Sequence, residues 1–121
     1  MAEIGTITTE ELERRLRQGG RLEFWNVLTD PSFKNEMIPG SRRVRLNDVG
    51  REVAVSKLPK DREIVVYCGG PTCRQSRLAA EKLATLGFTR VSAYEGGLEA
   101  WKESGHPVEY VGEPAPAART A

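Results

Sequence analysis

The stretch "EIVVYCGGPTCRQSRLAAEKLATLGFTRVSAY" (residues 63–94) decides the fold of this chain. Its first six residues, 63–68, predict a buried strand, because branched and aromatic side chains follow one another with little polar interruption. Apolar residues then recur at helical spacing, at Ala79, Leu83 and Leu86. This spacing predicts a helix over 75–86, which Gly87 ends, and residues 88–94 predict another strand. A strand, a helix and a strand in this order indicate a parallel βαβ unit.

The flanking segments continue this alternation of helices and strands. Thr8 followed by Glu11 indicates a capping box at the start of a helix, and Gly19-Gly20 is expected to end that helix. The other predicted elements are a strand over 21–28, a short strand over 43–46, a weak helix with Leu46, Val49 and Val53, and a last helix with Leu98 and Trp101. This pattern predicts an α/β fold in which helices cover both faces of a parallel sheet. In such sheets the ligand lies beyond the carboxyl ends of the strands.

The length and charge of the chain favour one ordinary globular domain. With 121 residues it can hold one modest core, which we place within residues 1–111. Residues 112–121 contain two prolines, four alanines and no large apolar side chain, and they predict a mobile tail. The formal net charge of +1 predicts no nucleic-acid partner and no membrane surface. The first twenty residues carry four glutamates where a signal peptide has an apolar core, so we expect a cytoplasmic protein.

Cys68 closes the most apolar predicted strand and precedes a glycine-rich turn into a helix. Several backbone N–H groups can converge there above the helix N-terminus, and such a site favours an anion. We therefore expect the pKa of the Cys68 thiol to be lowered, and we predict this residue as the catalytic nucleophile. Arg74 adds a forked cation suited to sulfate-like, phosphate-like or arsenate-like oxygens. The predicted substrate-binding residues are the whole following loop: Gly69, Gly70, Pro71, Thr72, Cys73, Arg74, Gln75 and Ser76.

The two cysteines, Cys68 and Cys73, also allow other interpretations. Either cysteine could be an ordinary core residue, because a free cysteine packs like a small hydrophobic side chain. A zinc site needs about four ligands, and the chain offers these two cysteines and one histidine, His106, which we expect in a solvated loop. The sequence therefore predicts no metal site. A permanent disulfide would lock the loop that a substrate has to enter, whereas a reversible Cys68–Cys73 bond is an open alternative.

Further motifs accompany the cysteine loop along the chain. They are "ITTEEL" at the first helix, "FWNV" on the first long strand, "IPGS" after it, "SRLAAEKLATLGFTRV" after the loop, and "YEGGLEAWKESGHPV" near the end. In this order and with these spacings, the chain resembles the rhodanese-like family of single-domain sulfurtransferases from about Ile7 to Val108. The resemblance implies a three-layer α/β fold, with a parallel sheet of about five strands and an active-site loop wrapped around Cys68.

The resemblance also implies a reaction. The Cys68 thiolate would attack the sulfane sulfur of a donor such as thiosulfate, expel sulfite and hold the sulfur as a persulfide. Loop N–H groups would stabilise this anion until a thiol, cyanide or a protein acceptor removes the sulfur. The implied partners are therefore a small-molecule sulfur donor and one of these acceptors. No metal or organic cofactor is implied.

The loop departs from the usual sulfurtransferase spacing. Five residues separate Cys68 from Arg74 where the family usually has four, and alignment on Ser76 places Gln75 in the arginine's position. The five-residue gap is that of the related dual-specificity phosphatases and arsenate reductases, whose larger loops admit a tetrahedral oxyanion. A phosphatase or arsenate reductase is therefore the alternative enzyme. A non-catalytic redox-sensing or binding module with a Cys68–Cys73 switch is the alternative outside catalysis.

Overall fold

The computed structural model of this chain describes residues 4–19, 22–29 and 33–110, and the predicted tail at 112–121 lies outside them. The strands are β1 (Ile4–Thr6), β2 (Glu23–Asn26), β3 (Glu36–Met37), β4 (Arg42–Arg43), β5 (Ile64–Tyr67), β6 (Val91–Tyr94) and β7 (Glu109–Tyr110). The helices are α1 (Thr9–Gln18), α2 (Val49–Ser56), α3 (Gln75–Thr85) and α4 (Gly97–Glu103), and a 3-10 turn over Leu46–Asp48 leads into α2. Strands and helices alternate through the 63–94 stretch as its pattern predicts.

Five strands form a parallel sheet in the order β1-β6-β5-β2-β4. The side chains of the central strand β5 alternate between the two faces of this sheet. Ile64 and Val66 pack in a cluster with residues of α2 and α3, whereas Val65 and Tyr67 pack with residues of α1 and α4. Helices therefore cover both faces, and the predicted three-layer α/β fold is confirmed. All four residues of β5 are fully buried, so the strand that ends at the cysteine loop lies in the middle of the core.

Short-range signals set the helix ends. Thr8 and Glu11 form the predicted capping box, in which each backbone N–H donates to the other residue's side chain at 3.1 Å. Gly19 follows α1 with a φ of +75°, a backbone region that favours glycine. Helix α3 ends at Thr85, one residue before the predicted end, and Gly87 follows it with a φ of +102°.

The strands differ more from the sequence expectation than the helices do. β2 spans four residues, rather than the predicted eight, because the Leu28 N–H turns to the Asn26 Oδ1 atom at 3.0 Å. Arg21, at the start of the predicted strand, lies outside the described residues. β6 begins at Val91 rather than at residue 88. β4 covers residues 42–43, whereas the predicted strand covers 43–46. The sequence pattern does not predict β1 or the antiparallel pair of β3 and β7, because these strands are short and contain few apolar residues.

Candidate active site

Cys68 follows the last residue of β5 and lies at the carboxyl edge of the sheet, as its place in the sequence predicts. The residue is only 1% exposed. Its carbonyl accepts the Leu98 N–H at 3.0 Å, and the next carbonyl, that of Gly69, accepts the Glu99 N–H at 2.8 Å. The Cys68 Sγ atom accepts the Ser76 N–H at 3.4 Å, at the start of α3. Two helices therefore fix this cysteine, α4 through the backbone and α3 through the sulfur.

The loop before α3 folds back over the sulfur. The Cys73 N–H donates to the Gly70 carbonyl at 3.0 Å and closes a tight turn, with Pro71 and Thr72 at its exposed tip. The thiol of Cys68 donates to the Cys73 carbonyl at 3.5 Å, and the Cys73 side chain packs against the buried cluster that contains Cys68. The structure thus brings Cys73 to the sulfur and leaves Pro71 and Thr72 at the surface of the loop.

Arg74 and Gln75 take different positions at the start of α3. The Arg74 side chain is exposed, and it makes no hydrogen bond or ion pair within residues 4–19, 22–29 and 33–110. Gln75 instead reaches the segment after β2, where its Oε1 accepts the Thr29 N–H at 2.9 Å and its Nε2 donates to the Thr29 Oγ1 at 3.2 Å. Gln75 therefore ties α3 to the neighbouring strand end. The cation predicted to bind an anion faces solvent in this closed loop.

The protonation of Cys68 differs from the sequence expectation. Burial raises the pKa of its thiol above the ordinary value, and the adjacent Cys73 thiol raises it further. The hydroxyl and the N–H of Ser76 act in the opposite direction and lower the pKa. The expected low pKa is therefore wrong for the closed loop, because desolvation outweighs the donors at the helix N-terminus.

Among the described residues, the buried side-chain polar atom that lacks a hydrogen-bond partner is the Ser76 Oγ. Ser76 is 1% exposed, and its hydroxyl lies close enough to Cys68 to lower the pKa of that thiol. A buried donor without an acceptor costs free energy unless another state of the site supplies the acceptor. A negatively charged sulfur at the Cys68 side chain would be such an acceptor.

Helix α4 supports the loop in a way that the sequence interpretation missed. Gly97 has a φ of +60°, and a Cβ atom there would collide with the Cys68 carbonyl and lie 2.9 Å from both the Gly69 C and the Gly70 N atoms. A Cβ atom at Gly70 would in turn lie 2.5 Å from the Glu99 Oε1. At Gly97 the backbones of loop and helix therefore meet at a distance that a side chain would prevent, whereas the flexible Glu99 carboxylate can move away from Gly70. The signal in the sequence is the Gly-Gly pair after β6, which by itself indicates only a turn.

Asn26 and Tyr67 form the polar frame behind the site. The fully buried Asn26 donates from Nδ2 to the Glu36 carbonyl at 3.2 Å, and a carboxylate cannot make this bond. Tyr67 precedes the nucleophile and accepts the Ile38 N–H on its hydroxyl at 2.9 Å. The same hydroxyl lies 2.7 Å from the Ser41 Oγ. These bonds hold the "IPGS" turn beside the end of β5.

A cavity of about 390 Å³ opens beside the loop. It is lined by Leu28, Lys34, Glu36, Gly69, Leu98, Glu99, Lys102 and Glu103. Lys102 and Glu36 form an ion pair at 3.0 Å within this lining. The cavity thus combines apolar side chains with charged groups of both signs and reaches the loop at Gly69.

The described part of the chain contains no group of three or more His, Cys, Asp or Glu side chains placed to hold a metal ion. His106 lies in a loop, as the sequence predicts, but it is half-buried because its ring packs against Trp101 with the ring centroids 4.4 Å apart. Trp101 itself is buried. No helix in residues 4–19, 22–29 and 33–110 is long and apolar enough to cross a membrane.

Comparison with known proteins identifies relatives of this chain. The family model described as "Rhodanese-like domain" matches residues 8–104. A protein of Allochromatium vinosum named "Sulfurtransferase" is 28% identical over 105 residues, which are 87% of this chain and 94% of that protein. This similarity supports a sulfurtransferase at the level of the family.

Two solved structures have the same fold. The solution structure of the rhodanese-like domain of the Alr3790 protein from Anabaena sp. matches with a TM-score of 0.76 at 28% identity, over 98% of this chain and 89% of that one. The crystal structure of the BH2092 protein from Bacillus halodurans also matches with a TM-score of 0.76, at 27% identity, over 88% of this chain and 77% of that one. The family model covers most of the chain and both solved structures share its fold, so this chain belongs to the rhodanese-like domain family.

Proposed function

We propose that this chain is a sulfurtransferase that carries a sulfane sulfur on Cys68. The supporting observation is the position of the Cys68 Sγ, which lies at the carboxyl end of β5 and accepts the Ser76 N–H at 3.4 Å. The Ser76 hydroxyl, which lacks a partner among the described residues, lies beside the same sulfur. Two donors close to one sulfur atom favour an anion there. The similarity to a protein named as a sulfurtransferase supports the same chemistry.

The proposed reaction starts from the Cys68 thiolate and a donor such as thiosulfate. The thiolate attacks the sulfane sulfur, a new S–S bond forms, and sulfite leaves with the electron pair of the broken bond. The Ser76 donors stabilise the Cys68 thiolate that attacks, and the persulfide that forms carries its charge on the outer sulfur. A thiol, cyanide or a protein acceptor then attacks the outer sulfur, and Cys68 returns to the thiolate.

The closed loop has to open for this reaction, because Cys68 is buried and burial raises the pKa of its thiol. The tip of the loop, Pro71 and Thr72, is exposed and is the part that can move outward. Opening at the tip hydrates the sulfur and so removes the main cause of the raised pKa. The exposed Arg74 side chain is then available to bind the sulfonate oxygens of the donor.

Intact-protein mass spectrometry with thiosulfate tests the proposal, with a matched pair of cysteine variants. We expect the Cys73→Ser chain to gain the mass of one sulfur atom and to release an equal amount of sulfite. The Cys68→Ser chain should do neither, because it lacks the nucleophile. Sulfite release that persists in Cys68→Ser, or that is absent from every chain that keeps Cys68, rejects the proposal.

The five-residue gap between Cys68 and Arg74 supports one second candidate, a phosphatase or arsenate reductase. In the opened loop the exposed Arg74 guanidinium would bind phosphate or arsenate oxygens as it would bind a sulfonate, so this residue does not separate the two candidates. Turnover of an aryl phosphate or of arsenate that depends on Cys68, together with no release of sulfite from thiosulfate, would favour this candidate.

A further inference from the structure

The loop contains a second thiol that the proposed sulfur transfer does not use. Cys68 and Cys73 are the two cysteines of the chain, and both are free. Cys73 is half-buried, and its side chain packs against the cluster that contains Cys68. The Cys68 thiol donates to the Cys73 carbonyl at 3.5 Å, and the two thiols lie close enough for Cys73 to raise the pKa of Cys68. A cysteine held this close to a sulfur carrier can react with it.

We propose that Cys73 is a resolving thiol, a second cysteine that discharges the persulfide on Cys68 and releases hydrogen sulfide. This inference rests on the proposed function, because it requires a persulfide on Cys68. It assigns a dithiol reductant as the second substrate, because the product left on the protein is a Cys68–Cys73 disulfide.

In the proposed step, the Cys73 sulfur attacks the inner sulfur of the persulfide, which is the Cys68 Sγ. A bond forms between the two cysteine sulfurs, and the bond from Sγ to the outer sulfur breaks. The outer sulfur leaves with the electron pair and takes the proton of Cys73, so that it departs as hydrosulfide. The two cysteines lose two electrons and the sulfane sulfur gains them, so no separate oxidant is needed. A dithiol such as dithiothreitol then reduces the disulfide and restores both thiols.

The contacts of Cys73 favour attack on the inner sulfur. Its carbonyl accepts the Cys68 thiol at 3.5 Å, its side chain packs against the cluster that contains Cys68, and the one sulfur of Cys68 in the resting chain is the Sγ. The outer sulfur of a persulfide would lie about 2 Å beyond this atom, so Cys73 meets the Sγ first. The turn closed by the bond from the Cys73 N–H to the Gly70 carbonyl at 3.0 Å holds Cys73 at this place.

A single-turnover experiment on the full chain tests this role. Reduced wild-type protein, freed of reductant, receives one equivalent of thiosulfate and is quenched in acid at successive times. Sulfite, hydrogen sulfide and intact mass are then measured on the same samples. We expect sulfite first, then an equal amount of hydrogen sulfide, and a final mass lower than that of the reduced chain by two hydrogens. Trypsin without reductant places the bond, because the fragment 63–74 between two arginine cleavage sites contains both cysteines.

The variants separate the role of the Cys73 thiol from a general effect of a substitution near the loop. Cys73→Ser should release sulfite, keep the added sulfur and release hydrogen sulfide at least about tenfold more slowly than wild type. Thr85→Ser changes an exposed residue at the end of α3, the helix that follows the loop, by one methyl group, keeps both thiols and should follow wild type.

The outcomes distinguish this inference from the proposed function on which it rests. If wild type keeps the added sulfur for as long as Cys73→Ser does, the resolving role is overturned while sulfur transfer to Cys68 stands. Added sulfur that is found on Cys73, or a hydrogen sulfide rate that rises with protein concentration, also overturns it, since either shows a different path. If neither wild type nor Cys73→Ser releases sulfite, the proposed function itself has failed, and the resolving role falls with it.

Discussion

The two ends of the parallel sheet differ in how their polar groups are satisfied. Ion pairs cross the amino ends of the strands: Glu63 with Arg15 and Arg90, and Glu23 with Arg42 and Arg62. A cavity of about 450 Å³ lies at this end, and Arg15, Arg62, Glu63 and Arg90 are part of its lining. At the carboxyl end, Cys68 is a buried thiol, and the buried Ser76 hydroxyl lacks a hydrogen-bond partner among the described residues.

This difference separates stability from chemistry. The charged side chains at the amino end already form ion pairs. The cavity there therefore offers a ligand few unpaired charged groups. The buried hydroxyl at the carboxyl end has a cost in the resting chain, and a charged sulfur on Cys68 would remove that cost. We therefore expect changes at the amino end to lower stability without altering sulfur transfer. Polar changes at the carboxyl end should alter sulfur transfer and leave stability nearly unchanged.

The largest effect is expected from Gly97→Ala, because the carboxyl end depends on close backbone packing there. The new Cβ would collide with the Cys68 carbonyl at a φ of +60°. We expect the free energy of unfolding to fall by about 3 kcal/mol and persulfide formation to be lost. Denaturant unfolding and the thiosulfate mass assay measure the two effects.

Gly69→Ala is the matched control for Gly97→Ala. A Cβ atom at Gly69 meets nothing within 4 Å, and the backbone there is not in the left-handed region. This variant should therefore unfold like wild type. Equal losses of stability in both variants would show that the loop needs glycine for a reason other than its contact with α4.

Ser76→Ala is expected to have the next largest effect, and it acts on chemistry alone. Removing a buried hydroxyl that has no partner should change the free energy of unfolding by less than about 0.5 kcal/mol. Removing a donor to the charged sulfur should slow persulfide formation by about tenfold or more, which corresponds to the usual strength of a hydrogen bond to a charged group. Rapid-quench measurement of sulfite release gives the rate. A large loss of stability with an unchanged rate would show that Ser76 is a packing residue.

More of the fold than of the site could be predicted from the sequence. The alternation of strand, loop and helix over 63–94 depends on short-range patterns of apolar residues, and the helix bounds agree to within a residue. The place of Cys68 follows from the same pattern. The short edge strand β1 is missed because its stability comes from pairing with β6, which no local pattern records.

The electrostatics of the site depend on packing, and the sequence alone does not give them. The glycines and the helix N-terminus after Cys68 predict a lowered pKa, but the loop closes over the sulfur, and desolvation reverses the direction. Arg74 has the predicted spacing, yet its side chain faces solvent while Gln75 bonds to Thr29. Each of these results depends on how the loop sits against α4 and β2, which are distant in sequence.

The raised pKa of Cys68 predicts how labelling of this thiol depends on pH. In a Cys73→Ser chain, which isolates Cys68, the rate with iodoacetamide should rise about tenfold per pH unit and go on rising above about pH 8.5, the ordinary thiol pKa. Folding favours the neutral thiol, so this contribution to stability is complete below the unfolded-state pKa and is lost as the pH rises through the folded-state pKa. Cys68→Ser, which leaves the half-buried Cys73, is the comparison. A Cys68 rate that levels off well below pH 8.5 would show that the carboxyl end holds a thiolate after all.

The smallest effect is expected at the amino end, from Glu63→Gln. The Glu63 side chain is 15% exposed and contacts Arg15 and Arg90, so its loss leaves two cations without their shared carboxylate. Because these arginines remain partly solvated, we expect the free energy of unfolding to fall by only about 1 kcal/mol, and by less at high salt. Glu81→Gln is the control, since its side chain is 53% exposed and lies 3.7 Å from Arg77, and it should change stability very little. The rate of sulfite release should match wild type in both variants. A slower release in Glu63→Gln at unchanged stability would mean that the two ends of the sheet are coupled, and that the separation of stability from chemistry is wrong.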